Sequence, residues 1–104
     1  MKFFKNKRLT ESIDPKHLDL EIVEGGSSKD YTFYIQNDHA RGEVRNLKAV
    51  VDNKEIEILR CPETIEKNES VEFKFRWNCD VKIEEGIQPK FSFTYDIICG
   101  SILG

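Results

Sequence analysis

The strictest alternation of apolar and polar residues in this chain lies between residues 70 and 77. Its apolar positions are Val71, Phe73, Phe75 and Trp77, and the polar positions between them are Glu72, Lys74 and Arg76. Because successive side chains of a β-strand point to opposite faces, this pattern predicts a half-buried strand. A shift of one residue would turn all four apolar side chains to solvent, so the pattern also predicts the register and a second layer packed over the strand.

Shorter apolar stripes of the same period recur after residue 17, separated by turn residues. Their inward positions are Leu18, Leu20 and Ile22; Tyr31, Phe33 and Ile35; Leu47, Ala49 and Val51; Ile56 and Ile58; Val81 and Ile83; and Phe91, Phe93, Tyr95 and Ile97. No window of ten or more residues carries an apolar stripe of helical period. Together with the strand at 70–77, these segments make seven strands in about 80 residues, which predicts an antiparallel β-sandwich.

Residues 1–16 lack a sustained period and are predicted to form an N-terminal arm in front of a β-domain at 17–104. Asp14 and Pro15 can cap and open a single helical turn before the first strand. The arm carries two aromatic residues among four basic ones, namely Phe3 and Phe4 with Lys2, Lys5, Lys7 and Arg8. It is interpreted either as a docking arm that orders on a partner or as a flexible terminus without a role.

Length and charge narrow the classes to which the chain can belong. At 104 residues it is one domain, and 38% hydrophobic against 34% charged residues provides enough apolar material for a small core. The net charge is -3 with both signs interleaved, so a nucleic-acid partner is disfavoured. No run approaches the roughly 18 apolar residues of a membrane-spanning helix. No signal peptide is recognised either, so the expected location is the cytoplasm or a larger particle.

The cysteines, Cys61, Cys79 and Cys99, are odd in number and include no CxxC pair. This usage favours reduced thiols in an intracellular setting over a Cys61–Cys79 or Cys79–Cys99 disulfide. A zinc site needs three or four convergent ligands, whereas the only histidines, His17 and His39, fall in the leader and in a polar loop. The sequence therefore predicts no metal site and no cofactor.

Catalytic chemistry has few candidate residues. Asp38, His39 and Glu43 share one loop and suggest a general base or a calcium loop, but a solvated turn between two strands has the same composition and is the preferred interpretation. No motif for phosphate, dinucleotide, serine-hydrolase or zinc-protease chemistry occurs. We therefore expect a protein that is not an enzyme.

From Asp30 to Ile97 the chain resembles the immunoglobulin-like modules of the CARDB and NPCBM-associated kind. The matching features are a strand ending in Asn, a polar loop, a second strand, a proline, a capped turn and an alternating strand ending in an aromatic residue. In this chain they are Phe33 to Asn37, Val44 to Val51, Pro62, Lys67 to Ser70 and Val71 to Trp77. Asn68 stands where the family usually has Gly, and Asn also adopts the left-handed region. The resemblance implies an immunoglobulin-like sandwich that acts by interaction and has no catalytic residues.

The sequence therefore predicts a non-enzymatic protein-interaction or structural module that docks on a larger assembly or on copies of itself. The candidate partner-binding residues lie in the arm and in the loop 37–43: Phe3, Phe4, Lys5, Lys7, Arg8, Asp38, His39 and Arg41. One alternative is a virion structural or decoration protein. Another is a single-stranded nucleic-acid-binding β-barrel, in which the strand aromatics would be stacking platforms, but the same aromatics are the only material for a core.

Overall fold

A computed structural model describes residues 1–18, 20, 26–39, 42–79 and 87–99 of the chain. Within these ranges the protein contains strands and no helix, which confirms the all-β prediction. The strands are β1 (Lys2–Phe4), β2 (Ser28–Gln36), β3 (Gly42–Val51), β4 (Ile56–Arg60), β5 (Ser70–Asn78) and β6 (Phe91–Cys99). They form a four-stranded sheet of order β1-β2-β5-β4 and a two-stranded sheet of β3 and β6, and every pairing is antiparallel.

The alternating segment at 70–77 forms β5 at the centre of the larger sheet, with the predicted faces. Phe73, Phe75 and Trp77 are at most 1% exposed, and Phe91 of β6 packs over them from the second sheet. The ring centroid of Phe91 lies 5.5 Å from that of Phe73 and 4.8 Å from that of Phe75. One cluster of buried residues from both sheets thus forms the core. Aromatic pairs at these distances add to the free energy gained from buried area.

The number of described strands is smaller than the predicted number, partly because two predicted segments fall wholly or partly outside the described residues. The weak segment at 81–83 lies outside the described residues, as do residues 19, 21 and 22 of the segment predicted at 18–22. Leu20 is described, and it makes a single antiparallel bridge to Ile87. Six strands are therefore described where seven are predicted, and one of the six, β1, has no counterpart in the alternation.

β1 lies within the segment expected to be an arm, and the sequence pattern does not predict it. It pairs with residues 34–36 of β2, and Ile13 on its other side donates its N–H to the carbonyl of Phe3 at 3.0 Å. Residues 5–10 turn the chain between these two segments. The Asn6 side chain holds this loop, because its Oδ1 accepts the N–H groups of Thr10 and Glu11, both at 3.0 Å. The N-terminal arm, which we call the leader from here on, is thus a hairpin on the edge of the larger sheet.

Two asparagines adopt left-handed backbone conformations that shape the strands. Asn68 has φ 62° in the turn before β5, a conformation that Asn adopts more readily than most residues. Asn46 has φ 55° within β3, at a bulge that shifts the register against β6 between Arg45 and Lys48. Because of this bulge, Leu47 still points into the core, where it is 2% exposed. Only the later half of β3 is predicted by the alternation, since the bulge interrupts it.

Candidate interaction surface

The aromatic residues of the predicted docking segment pack inside the protein. Phe4 is 9% exposed, and Phe3 is half-buried with its ring 6.2 Å from Phe33 and 5.2 Å from Phe93. Phe3 therefore joins the larger sheet to β6 of the smaller one. The structure differs here from an arm that offers exposed aromatic side chains to a partner, because β1 pairing has already oriented both rings.

The basic residues of the same segment are exposed. Lys5, Lys7 and Arg8 lie on the loop that Asn6 holds, and none of them forms an ion pair with another described residue. Leu9 in this loop has φ 59°, a conformation that non-glycine residues rarely adopt. The loop therefore presents positive charge in a defined conformation at one end of β1.

Asp38 and His39 lie near the other end of β1. The Met1 amino group is 3.1 Å from the Asp38 carboxylate, and this contact lowers the pKa of Asp38. The His39 ring centroid is 5.9 Å from that of Tyr95, and its buried Nε2 has no hydrogen-bond partner in the described part of the chain. Arg41, the remaining predicted residue, lies outside the described residues. The described polar residues of the predicted set therefore form two groups, one at each end of β1, while Phe3 and Phe4 lie within β1 itself.

An apolar cleft between the leader and the start of β2 was not predicted from the sequence. It has a volume of about 570 Å³, and its apolar walls include Ile13, Leu18, Tyr31 and Phe33. The cleft exists because β1 covers only residues 34–36 of β2, so the earlier part of that strand borders open space. The Lys29 ammonium lies 5.2 Å from the Tyr31 ring centroid at its rim. No sequence signal identifies the cleft, since its two walls are brought together only by the fold.

Three of the strands next to open space have protected edges. Residues 11–13 run along the outer edge of β1. Residues 61–65 run along the outer edge of β3, where Ile65 and Val44 exchange both backbone hydrogen bonds at 2.9 Å. β4 carries a bulge between Ile58 and Arg60 and exposes the charged side chains of Glu57 and Arg60. Bulges and charges of this kind prevent a strand edge from pairing with another chain.

The outer edge of β6 has a different character. Phe91 donates its N–H to the carbonyl of Pro15 at 2.9 Å, away from β3. Backbone groups alternate between the two edges of an antiparallel strand, so those of Phe93, Tyr95 and Ile97 face the same side as that of Phe91. The opposite residue of β3, Val44, confirms this direction for Ile97, because its own backbone groups bond to Ile65 and not to β6. No described residue pairs with β6 on this side beyond Phe91.

The side chains of β6 carry little charge, and two large apolar ones near its end are exposed. Ile97 is 36% and Ile98 44% exposed, and β6 contains no Lys, Arg or Pro. Its one charged residue, Asp96, accepts a hydrogen bond of 2.9 Å from Asn46 of β3. A groove of about 190 Å³ runs beside the edge, between β1 and β6, with Phe3 and Phe93 among its walls. We call the backbone and side chains of residues 93–97 on this side the open edge of β6.

The described residues show no arrangement for metal or thiol chemistry. No group of three His, Cys, Asp or Glu side chains that could hold a metal ion is present among them. The three cysteines form no disulfide; Cys61 is half-buried, Cys79 buried and Cys99 exposed. Burial raises the pKa of the Cys61 thiol, which opposes formation of the nucleophilic thiolate. Within the same residues no helix has the length and apolar character needed to cross a membrane.

Comparison with known proteins gives no relative. The chain matches no protein-family model, no curated protein and no solved structure. The geometry of the chain itself therefore carries the functional conclusion.

Proposed function

We propose that this protein is a non-enzymatic interaction module that docks on a protein partner through the open edge of β6. The supporting observation is the contrast between that edge and β4. β4 has a bulge and exposed charged side chains, whereas β6 has no Lys or Arg and the backbone groups of residues 93–97 on its outer edge pair with no described residue. Main-chain hydrogen bonds to such an edge provide affinity, and pockets for alternate side chains provide specificity.

We further propose that the topology is immunoglobulin-like. The order β1-β2-β5-β4 corresponds to the A-B-E-D sheet of the constant-type immunoglobulin fold, with β3 and β6 in the positions of strands C and F. In that fold the seventh strand, G, pairs with F on the edge away from C. On this assignment the position of strand G coincides with the open edge of β6, which gives a structural reason for the edge to accept a strand.

Binding of single-stranded nucleic acid has less support than protein binding. Base stacking needs exposed aromatic rings next to positive charge. Phe73, Phe75 and Phe91 are at most 1% exposed, so they cannot stack on bases without unfolding the core. The two aromatic residues nearest in sequence to the exposed basic residues Lys5, Lys7 and Arg8 are Phe3 and Phe4, and both are packed against the sheets rather than presented to solvent.

A variant that blocks only the edge tests the proposed function. Ile97→Pro removes an N–H group that faces outward and is not bonded to β3, so the internal ladder keeps its hydrogen bonds. The matched control is Val50→Ser, since Val50 is 62% exposed on β3 away from the edge. Purified full-length chain is used to recover stoichiometric partners from its native source, and unchanged Trp77 emission verifies folding. We expect Ile97→Pro to lose partners that the wild type and Val50→Ser retain.

The proposed function would be abandoned if the wild type were a monomer that recovers no stoichiometric partner. Equal recovery by Ile97→Pro and by the wild type would also contradict it, because the edge would then not be the docking surface.

A further inference from the structure

We propose that the open edge of β6 binds a second copy of this chain, with the two β6 strands antiparallel across a two-fold axis at Tyr95. This inference rests on the proposed function and names its partner. The result would be one continuous sheet of four strands, in the order β3-β6-β6-β3. The argument for a second copy depends on the backbone register, on the shape of the groove and on the charges of β6.

The backbone restricts which residues can pair. Phe93, Tyr95 and Ile97 direct their backbone groups outward, whereas the N–H of Phe91 is already bonded to Pro15. An axis at Tyr95 places Phe93 opposite Ile97 of the second copy and Tyr95 opposite its own equivalent. Pairing then ends where Pro15 blocks the edge. This register allows about six backbone hydrogen bonds, two for each of the three facing pairs.

The groove beside the edge has a shape that the second copy can fill. Residues directly opposite each other on paired strands point to the same face of the sheet. Ile97 of the second copy would therefore project inward next to Phe93, over the groove of about 190 Å³ between β1 and β6. In the single chain Ile97 points to that inner face but remains 36% exposed, so its own fold does not bury it. The two-fold axis repeats this contact, and each copy provides both the side chain and the groove.

Charge selects between the possible registers. With the axis at Tyr95, Thr94 on the outer face lies opposite Asp96 of the second copy, so no like charges meet. Moving the axis to Asp96 would place the two Asp96 carboxylates directly opposite each other, which is destabilising. β6 carries no lysine or arginine that would keep another strand away. The sequence of β6 is thus compatible with its own antiparallel copy in the Tyr95 register.

Two opposite charges at Thr94 test both the partner and the register. Thr94→Asp would place two pairs of like charges across the interface, and Thr94→Lys would place two pairs of opposite charges there. The two pairs together should change the dissociation constant of the dimer by about 2- to 30-fold. We expect Thr94→Asp to raise this constant and Thr94→Lys to lower it. Sedimentation measured up to roughly 1 mM protein covers even a dimer of millimolar affinity.

The same two variants distinguish dimerisation from folding. Within one chain Thr94 faces Lys48 of β3, so Asp at this position stabilises the folded monomer and Lys destabilises it. Thr94→Asp should therefore raise the free energy of unfolding of the monomer while it weakens dimerisation, and Thr94→Lys should do the reverse. If the more stable variant also formed the tighter dimer, the assigned register would be wrong.

Cross-linking tests the geometry directly. With Cys99→Ser as background, Thr94→Cys together with Asp96→Cys places thiols at a non-hydrogen-bonded facing pair, where the Cα separation of about 4.5 Å suits a disulfide. Ser92→Cys together with Asp96→Cys is the matched control, since these positions do not face each other in the Tyr95 register. We expect rapid oxidative dimerisation of the first variant and slow dimerisation of the control; equal rates would overturn the register.

The outcomes for the two proposals can be distinguished. A wild type that stays monomeric but recovers a different protein in an Ile97-dependent manner would overturn the second copy as partner and leave the proposed function intact. A monomer without any partner would overturn both. A dimer that is indifferent to charge at Thr94 would place the contact on another face and overturn this inference.

Discussion

Replacement of Asn37 is expected to destabilise the fold more than its small size suggests. Asn37 is fully buried at the end of β2, and its Nδ2 donates to the carbonyl oxygens of Gly42 and Ile65, each at 3.0 Å, with that of Glu66 at 3.3 Å. Its Oδ1 accepts the N–H of His39 at 3.0 Å. One side chain thus joins the end of β2, the following loop, the start of β3 and the segment that covers the edge of β3.

The expected loss of unfolding free energy follows from the polar groups that Asn37→Ala would leave without a hydrogen-bond partner. A buried polar group that loses its hydrogen bond costs about 1–3 kcal/mol, and Nδ2 supplies two N–H groups. The carbonyl of Ile65 keeps a hydrogen bond from Val44, which limits the loss at that site. We therefore expect about 2–4 kcal/mol, a large part of the roughly 5–15 kcal/mol that stabilises a small domain. The melting temperature should fall by about 4–8 °C for each kcal/mol.

Urea unfolding followed by Trp77 fluorescence provides the measurement. Asn6→Ala is the control, because Asn6 makes three side-chain hydrogen bonds, against four for Asn37, and makes them in the exposed loop at residues 5–10. Water replaces hydrogen bonds lost at the surface, so this variant should cost about 1 kcal/mol or less. If Asn37→Ala and Asn6→Ala destabilised the protein equally, the buried carbonyls would not depend on Asn37 and the reasoning would be refuted.

Asn37→Asp adds a pH dependence with a defined sign. A carboxylate at this position would face the carbonyl oxygens that now accept from Nδ2, so its folded pKa would rise above the unfolded value of about 3.9. A raised folded pKa gives stability that is present below the unfolded pKa and lost as pH rises through the folded pKa. The gap in unfolding free energy between variant and wild type should therefore widen as pH rises from about 4 to the raised folded pKa of the introduced carboxyl. A gap independent of pH would contradict the assigned contacts.

Three further predictions concern the core, one close approach and the thiols. Trp77→Ala should cost about 3–5 kcal/mol in urea unfolding followed by circular dichroism, since the variant lacks the fluorescent side chain, and near-native stability would show that this face is not core. Gly42→Ala should cost about 1–3 kcal/mol because a Cβ there overlaps Cγ2 of Ile97, and adding Ile97→Ala should recover part of that loss in a double-mutant cycle. Mass spectrometry after alkylation near pH 8 should find exposed Cys99 modified before Cys61, whose pKa is raised by burial; equal rates would refute this order.

The parts of the fold that the sequence predicts are those carried by local period. The alternation at 70–77 predicts the faces of β5, and Phe73, Phe75 and Trp77 are buried as expected. β1 has only three residues, too few for a period, and it exists because β2 offers an edge and Asn6 folds the leader back. Such a strand depends on contacts distant in sequence, which the alternation does not encode.

The candidate surface was predictable only in part for the same reason. The loop after β2 is recognisable from its polar residues, and Asp38 and His39 do lie in it. Their neighbours, Met1 and Tyr95, come from opposite ends of the chain and meet there only after both sheets form. The sequence also does not predict that β6 lies at the edge of its sheet, because this depends on the order of the strands. A strand of identical sequence at the centre of a sheet would have no open edge.

The contrast among the strand edges is the observation on which the proposed function rests. Each edge strand that is not meant to pair needs a bulge, a charge or a cover, since unpaired backbone groups recruit other strands. This chain has all three devices elsewhere: a bulge and Arg60 on β4, residues 61–65 over β3, and residues 11–13 over β1. β6 has no Lys or Arg, its one charged residue, Asp96, is hydrogen-bonded to Asn46 of β3, and beyond Phe91 no described residue covers its outer edge. An unprotected strand edge in a free protein favours aggregation, so under the proposed function a strand of the partner covers this edge in the assembled state.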